Sequence, residues 1–187
     1  MKKSMLVLSC LLLLLLSGCA TTHMAKPEKA PELAAHPDKA TLVIIRETFF
    51  GGAIVFWHYL DEKLIGETTG KTYFVTPVPP GPHYVVITTE NTGVAHFDFK
   101  PGRTYFLGEG IAMGLWRART SGFYPMTPEA AAAAMKECSY LEYDPSTGQE
   151  PIDAQVYKQA IEDYHKDIKE NPDAFKDILR YDGVVMK

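Results

Sequence analysis

Cysteine is scarce in this chain: Cys10, Cys19 and Cys138 are its only three. Cys10 and Cys19 fall in the first twenty residues, which leaves Cys138 alone in the body of the protein. A body with one thiol forms no internal disulfide. Such a thiol in an oxidising compartment is usually buried; an intermolecular bridge and a reactive group are the alternatives. Basic charge is short as well. Lys and Arg number 19 against 23 Asp and Glu, a net charge of −4. That balance lacks the positive field that nucleic acid or an anionic bilayer requires of a non-specific ligand. No apolar run is long enough to span a membrane. The longest, Met5–Leu16, has twelve residues, against the roughly 20 that a spanning helix needs. Signatures of nucleophilic and nucleotide chemistry are missing too. There is no Gly-x-Ser-x-Gly,. Gly108, Gly110 and Gly114 fail both the dinucleotide and the P-loop spacing, and no Lys-Ser/Thr follows them,.

What is present begins at the N-terminus. Lys2 and Lys3 precede the short apolar run, and Leu16-Ser17-Gly18-Cys19 closes it. A basic start, an apolar stretch too short to span and a small-small-Cys ending form a bacterial lipoprotein signal over residues 1–18,. In that chemistry the Cys19 thiol takes a diacylglyceryl group, the peptide bond before it is cut, and the new amine is acylated. Cleavage there removes two lysines and no acid, so the net charge moves from −4 to −6. Attachment then rests on the acyl chains, several of which exceed the two-signal threshold for stable anchoring. The remaining chain is about one domain's worth of residues.

Residues 19–40 are rich in Ala, Pro, Lys and Glu and have no apolar period. They read as a lipidated Cys followed by a flexible tether, on the order of 25 Å r.m.s. as a coil of about twenty residues. From Thr41 the texture changes. Seven short runs dense in Val, Ile, Phe, Tyr and Thr follow: 41–50, 53–60, 63–66, 72–76, 83–89, 94–99 and 104–107. Gly, Pro, Asn and Asp punctuate them, most visibly at Pro79-Pro80-Gly81-Pro82 and Asn91-Thr92-Gly93. This predicts a mainly β domain over 41–143, a small antiparallel β-sandwich of about seven strands. The stretch Ile54–Leu60 is apolar on both faces, which calls for a central strand with its outside covered,.

Helices follow. Thr127-Pro128-Glu129 supplies an N-cap, a first-turn proline and an acid at the positive helix end,. The alanines carry that helix to about Cys138, where the dipole disfavours a thiolate,. A helical extension spans 151–182. Asp153 caps its first helix, and Ile152 with Tyr157 forms a hydrophobic staple,. Tyr157, Ile161, Tyr164 and Ile168 make one apolar stripe,. Asn171-Pro172-Asp173 restarts a shorter helix with Phe175, Ile178 and Leu179 inward. The stripe suits docking onto the home domain or a partner's groove.

Three groups of residues are candidates for chemistry or contact. His96 and Asp98 lie two apart on one strand face, and His83 is the obvious third ligand for a metal,. An exposed polar sheet face explains the same spacing. His58 joins these three in the competing reading, a metal-dependent or hydrolytic enzyme. Phe49 and Phe50 precede a Gly-Gly turn, and Met113 and Trp116 lie in an apolar glycine-rich segment. If exposed, these four are a partner-contact surface; otherwise they are core connections.

Thr41–Arg46, the Pro-Pro-Gly turn within Thr76–His83, and Lys100-Pro101-Gly102-Arg103-Thr104-Tyr105-Phe106 occur in order. With Ala112–Leu115 and Lys136-Glu137-Cys138 they resemble a bacterial lipoprotein family, domain of unknown function 2846 (DUF2846), over about residues 39–143. The resemblance implies a small β-sandwich behind a lipid anchor and no activity. Residue Ala20, where Asp would favour inner-membrane retention, then implies the periplasmic face of the outer membrane. The expectation is a non-enzymatic binding, scaffolding or envelope-assembly module with no cofactor beyond its lipid. Its partners are the membrane and an envelope protein or cell-wall component, with no nucleic acid.

Overall fold

The computed structural model describes residues 23–115, 118–148 and 150–186. The predicted lipidation site Cys19 and the candidate contact residue Trp116 lie outside the described residues. The fold is a two-sheet β-sandwich with helices concentrated after residue 127. Its strands are β1 (Met24–Ala25), β2 (Ala40–Arg46), β3 (Phe56–Leu60), β4 (Lys63–Thr68), β5 (Thr72–Val78) and β6 (Gly81–Thr88). They continue with β7 (Thr92–Phe99), β8 (Arg103–Met113), β9 (Ala118–Pro125), β10 (Ser139–Tyr143) and β11 (Val184–Val185). The helices are α1 (Pro128–Glu137), α2 (Ala154–Glu170) and α3 (Pro172–Arg180).

One sheet runs β1-β10-β5-β2-β8-β11 with β9 also on β8; the other runs β4-β3-β6-β7. Each of the seven predicted runs contains a strand. The expected mainly β sandwich with helices after it is borne out, its ladders mostly antiparallel with two exceptions. β2 pairs parallel with β8, and β10 pairs parallel with β5. Four strands were unforeseen: β1, β9, β10 and β11. β9 is rich in small and polar residues, and the two-residue β1 and β11 exist only because a neighbouring edge offers hydrogen bonds,.

Period-two alternation sends Leu42, Ile44, Phe74, Tyr105 and Leu107 inward from the larger sheet,. Val85, Ala95, Phe97 and Phe99 meet them from the smaller one. The opposite face of the larger sheet buries Val43, Ile45, Tyr73 and Phe106 under Ala131 and Ala134 of α1. Thr127 caps α1 through Ala130 N, and the helix ends at Cys138 as predicted.

The outer face of the smaller sheet carries Trp57, Tyr59, Leu64, Tyr84 and Val86, and α2 covers it. Ile152, Tyr157 and Ile161 pack there, and the Tyr164 ring meets Tyr84 edge-on at 6.3 Å. Asp153 caps α2 through Gln155 N and Val156 N. The tail therefore docks across the sheet. α3 sends Ile178 into the main core with Phe175 against it, whereas Leu179, expected inward, is 47% exposed. The tail continues past residue 182: β11 pairs with β8, and the Tyr181 hydroxyl accepts from Phe106 N at 2.9 Å.

The segment expected to be a tether divides. His23 is 4% exposed, its carbonyl accepts from Asp144 N at 2.9 Å, and β1 pairs with β10. Ala30 and Leu33 pack against the outer cluster of the larger sheet. The free edge of β10 captures the chain by backbone hydrogen bonding, which side-chain composition does not report.

Candidate functional site

Among the described residues, Arg46, His58 and Thr68 are fully enclosed on the inner faces of the sheets, with Glu109 at 4% exposure. Each is in phase with a core face. Arg46 follows Leu42 and Ile44 in β2, Glu109 follows Tyr105 and Leu107 in β8, and His58 follows Phe56 in β3. Ile45 stands opposite Gly108 in the parallel β2–β8 pairing, so Arg46 and Glu109 are neighbours on adjacent strands. Thr68 Oγ1 donates to Glu109 Oε1 at 2.7 Å, and His58 Nε2 lies 3.1 Å from the same oxygen. The Arg46 guanidinium sits 4.1 Å from the Phe56 ring centroid, a cation–π contact. Burial lowers the Arg46 pKa, and Glu109 opposes that by favouring the charged form.

Arg46 aims both terminal nitrogens at one loop. Nη1 donates to Ile54 O at 2.8 Å, and Nη2 donates to Gly51 O at 2.7 Å and to Phe50 O at 3.3 Å. The buried cation thus fastens the β2–β3 loop from inside. Two neighbours fasten it from outside. Gly70 N and Lys71 N, in the β4–β5 turn, donate to Gly52 O at 3.0 Å and Thr48 O at 3.3 Å. Gly51 has φ +61°, and a Cβ there would lie 2.3 Å from the Ala118 Cβ. Only glycine fits that approach to β9. Ala118 pairs with Met113 at the tip of the β8–β9 hairpin.

The loop and the hairpin tip therefore form one end of the sandwich, and that end is apolar. Phe49 is 75% exposed, Phe50 48%, Met113 77% and Leu115 83%. Of the predicted contact residues, Phe49, Phe50 and Met113 are exposed at this end, and Leu115 is exposed beside Met113. The apolar glycine-rich segment around Met113 is the end of β8. Its two-residue alternation is masked by Gly108 and Gly110. Gly108 is required because the Tyr124 ring lies over it, 2.2 Å from where a Cβ would stand. Tyr124 in turn donates to Glu47 Oε1 at 2.7 Å; burial, then that carboxylate, pushes its pKa far above the usual phenol range.

The four groups of the competing enzyme reading are dispersed. In the β6–β7 register His83 stands opposite Phe97 and His96 opposite Tyr84. His83 thus shares the inward parity of Val85, and His96 with Asp98 the outward one. His83 Nδ1 bonds Asp61 Oδ2 at 2.7 Å, and Asp61 Oδ1 accepts from Tyr84 N at 3.0 Å. Asp61, in the β3–β4 turn, is thereby a fastener between that turn and β6, with φ +54°,. His96 stacks 4.6 Å from the Tyr84 ring, and burial lowers its pKa, with His165 next in effect. His58 is in the interior cluster. Among the described residues no three His, Cys, Asp or Glu side chains gather as a metal-ligand set. A surface groove of about 520 Å³ between β7, β9 and α2 is lined by Asn91, Arg119, Ser121, Asp163 and Tyr164 among others, and by none of these histidines.

Cys138 is half-buried, with Sγ 3.7 Å from the Arg46 carbonyl oxygen. Burial raises its pKa, only partly opposed by Lys71. The thiolate is the reacting species, so maleimide labelling of the native protein at neutral pH should run well below the rate of a free thiol. Labelling at the free-thiol rate contradicts that placement.

An uncharacterised protein from Haemophilus influenzae (strain Rd) is 30% identical over 108 residues, which covers 55% of this chain and 64% of that protein. The matched region thus spans a little under two thirds of the relative's length. No protein-family model matches the chain, and no solved structure matches it.

Proposed function

We propose that the chain is a lipid-anchored envelope protein, held by Cys19 at the periplasmic face of the outer membrane, that acts as a non-enzymatic binding, scaffolding or assembly module. The observation that carries this reading is the investment of the interior in presentation. Arg46 and Glu109 are withdrawn from water, at a cost of several kcal/mol per ion, and the arginine's hydrogen bonds fix an exposed apolar loop. A reaction site needs convergent polar groups in a concave pocket; the fixed surface instead exposes the apolar side chains Phe49, Phe50, Met113 and Leu115. The ordered segments that resemble the DUF2846 lipoproteins agree with an anchored sandwich, and the leader supplies the anchor. Cys19→Ala should abolish lipidation and leave an uncleaved or mislocalised precursor, read by fractionation and immunoblotting of the envelope. Unaltered processing and membrane residence of that variant would refute the anchor.

A further inference from the structure

We infer that the groove between the free edge of β7 and helix α2 binds an extended polypeptide segment, which adds to β7 as a further strand. The site is separate from the lipid anchor and from the apolar end, and it stands whether or not Cys19 carries a lipid.

β7 is the last strand of the β4-β3-β6-β7 sheet. The direction of its backbone groups follows from its neighbour. Tyr84 N donates to Asp61 Oδ1 at 3.0 Å, and Tyr84 O accepts from Asp61 N at 2.8 Å. Both backbone groups of Tyr84 therefore turn toward the β3–β4 turn and away from β7. Tyr84 stands opposite His96 in the antiparallel β6–β7 pairing, so theirs is a pair without mutual hydrogen bonds,. His96 then turns its own N–H and C=O away from β6, and at steps of two so do Val94 and Thr92,. Pro82, opposite Asp98, keeps the same phase, since it has no N–H to give to β7,.

On either side of Val94 the seam is closed. The Asn91 side chain accepts from Thr120 N at 3.0 Å and donates to Thr120 O at 2.9 Å, taking the place of a strand on β9. The Thr89 hydroxyl donates to Ala118 O at 3.0 Å. Burial raises the Tyr164 pKa, and the His96 backbone, facing that hydroxyl, opposes the rise. Beyond it α3 packs against β7 and β9. Val94 is left with an outward N–H and C=O that have no partner among the described residues.

The space in front of Val94 admits a chain. Thr92, Gly93 and Val94 line the groove of about 520 Å³. A second hollow of about 350 Å³, along the start of α2, shares Thr92 and Ala160 with it. Small groups keep the groove open: a Cβ on Gly93 would stand 3.1 Å from the Gly122 Cα, and α2 presents Ala160. A strand edge with an unpaired donor and acceptor on one residue is matched by another extended backbone, the pattern of peptide recognition by strand addition. The walls add a charge preference. Arg119 on β9 and Asp163 with Asp167 on α2 line the groove and form no ion pair with one another among the described residues. A segment with one acidic and one basic side chain complements both walls.

The test uses the isotope-labelled mature protein in detergent micelles and a phage-displayed library of short random peptides. The library should yield peptides that move the amide resonances of residues 92–96. Each such peptide is then made in two N-methylated forms, one for each alternate set of its amides. Strand addition bonds only one set to β7. Methylation of that set should weaken binding about tenfold or more, and methylation of the other set should leave it nearly unchanged. Val94→Pro removes the outward N–H without touching the β6 ladder and should weaken the same peptides comparably. If that variant melts early, the methylated peptides on the unaltered protein decide. Oligomers of N-acetylglucosamine should leave the resonances of 92–96 in place. Equal responses to the two methylated forms overturn the proposal, and so does a library that yields no binder in this groove. Sugar oligomers that move these amides where peptides do not would also overturn it.

Discussion

Arg46→Met should destabilise the domain by about 2–4 kcal/mol, since hydrogen bonds from a charged donor contribute about 1.5–3 kcal/mol and a buried acceptor left bare costs about 1–3 kcal/mol. The methionine fills much of the volume but takes a positive charge away from Glu109, which sits among Thr68, His58 and apolar neighbours. It also leaves the carbonyls of Ile54 and Gly51 without their donor,. Two readouts separate these effects. Urea melts report the loss of stability, and amide exchange in the β2–β3 loop reports its release, with Ile54 N, bonded to Gly51 O at 2.9 Å, as the sensitive probe,. Removing both charges, Arg46→Met with Glu109→Met, should recover part of the stability because the stranded carboxylate is gone. It should not recover loop protection, since the carbonyls still lack a donor. Arg46→Lys keeps the charge but not the fork that reaches three carbonyls, and it should fall between. An Arg46→Met protein with wild-type stability and loop exchange would contradict the role assigned to this residue.

Truncation after Glu150 should be at least as severe. It uncovers Trp57, Tyr59, Tyr84 and Val86 on the outside of the smaller sheet. It also withdraws Ile178 from the main core and the Tyr181 hydroxyl from Phe106 N. Burying a large apolar side chain contributes roughly 1.5–3 kcal/mol before ordering entropy is subtracted. Several are lost together, against a total stability of about 5–15 kcal/mol for a typical domain. The shortened protein should aggregate or melt far below the intact one. A soluble product with an unchanged melting transition would show that the tail is a detachable element and that its packing on the sheet is dispensable.

Much of the architecture is written as periodicity. Alternation in 94–99 marks which face of β7 is buried, and the Thr127 and Asp153 caps stand where the helices begin. The demand of Ile54–Leu60 for a cover and the stripe on 154–170 are two halves of one contact, legible before the contact is seen. The apolar end was legible as residue types, Phe49, Phe50 and Met113, but not as one surface, because the Gly51–Ala118 approach that unites them is tertiary. The interior cluster was missed for a different reason. Arg46 and Glu109 carry the phase of their core neighbours, so strict alternation would have sent both inward. Polar type argued for the surface, and burying a charge is the less common outcome. The capture of β1 and β11 left no side-chain signal, since backbone groups at a sheet edge do the pairing,. Leu179 shows the limit of a helical stripe on a nine-residue helix, where a small rotation turns one flank to water.

The anchor is the premise on which the proposed function depends, and one measurement addresses it directly. Mass spectrometry of the mature N-terminal peptide, taken from native envelopes, should show a chain that begins at Cys19 and carries a diacylglyceryl thioether and an N-acyl group. A water-soluble product that begins at any other residue would contradict the account.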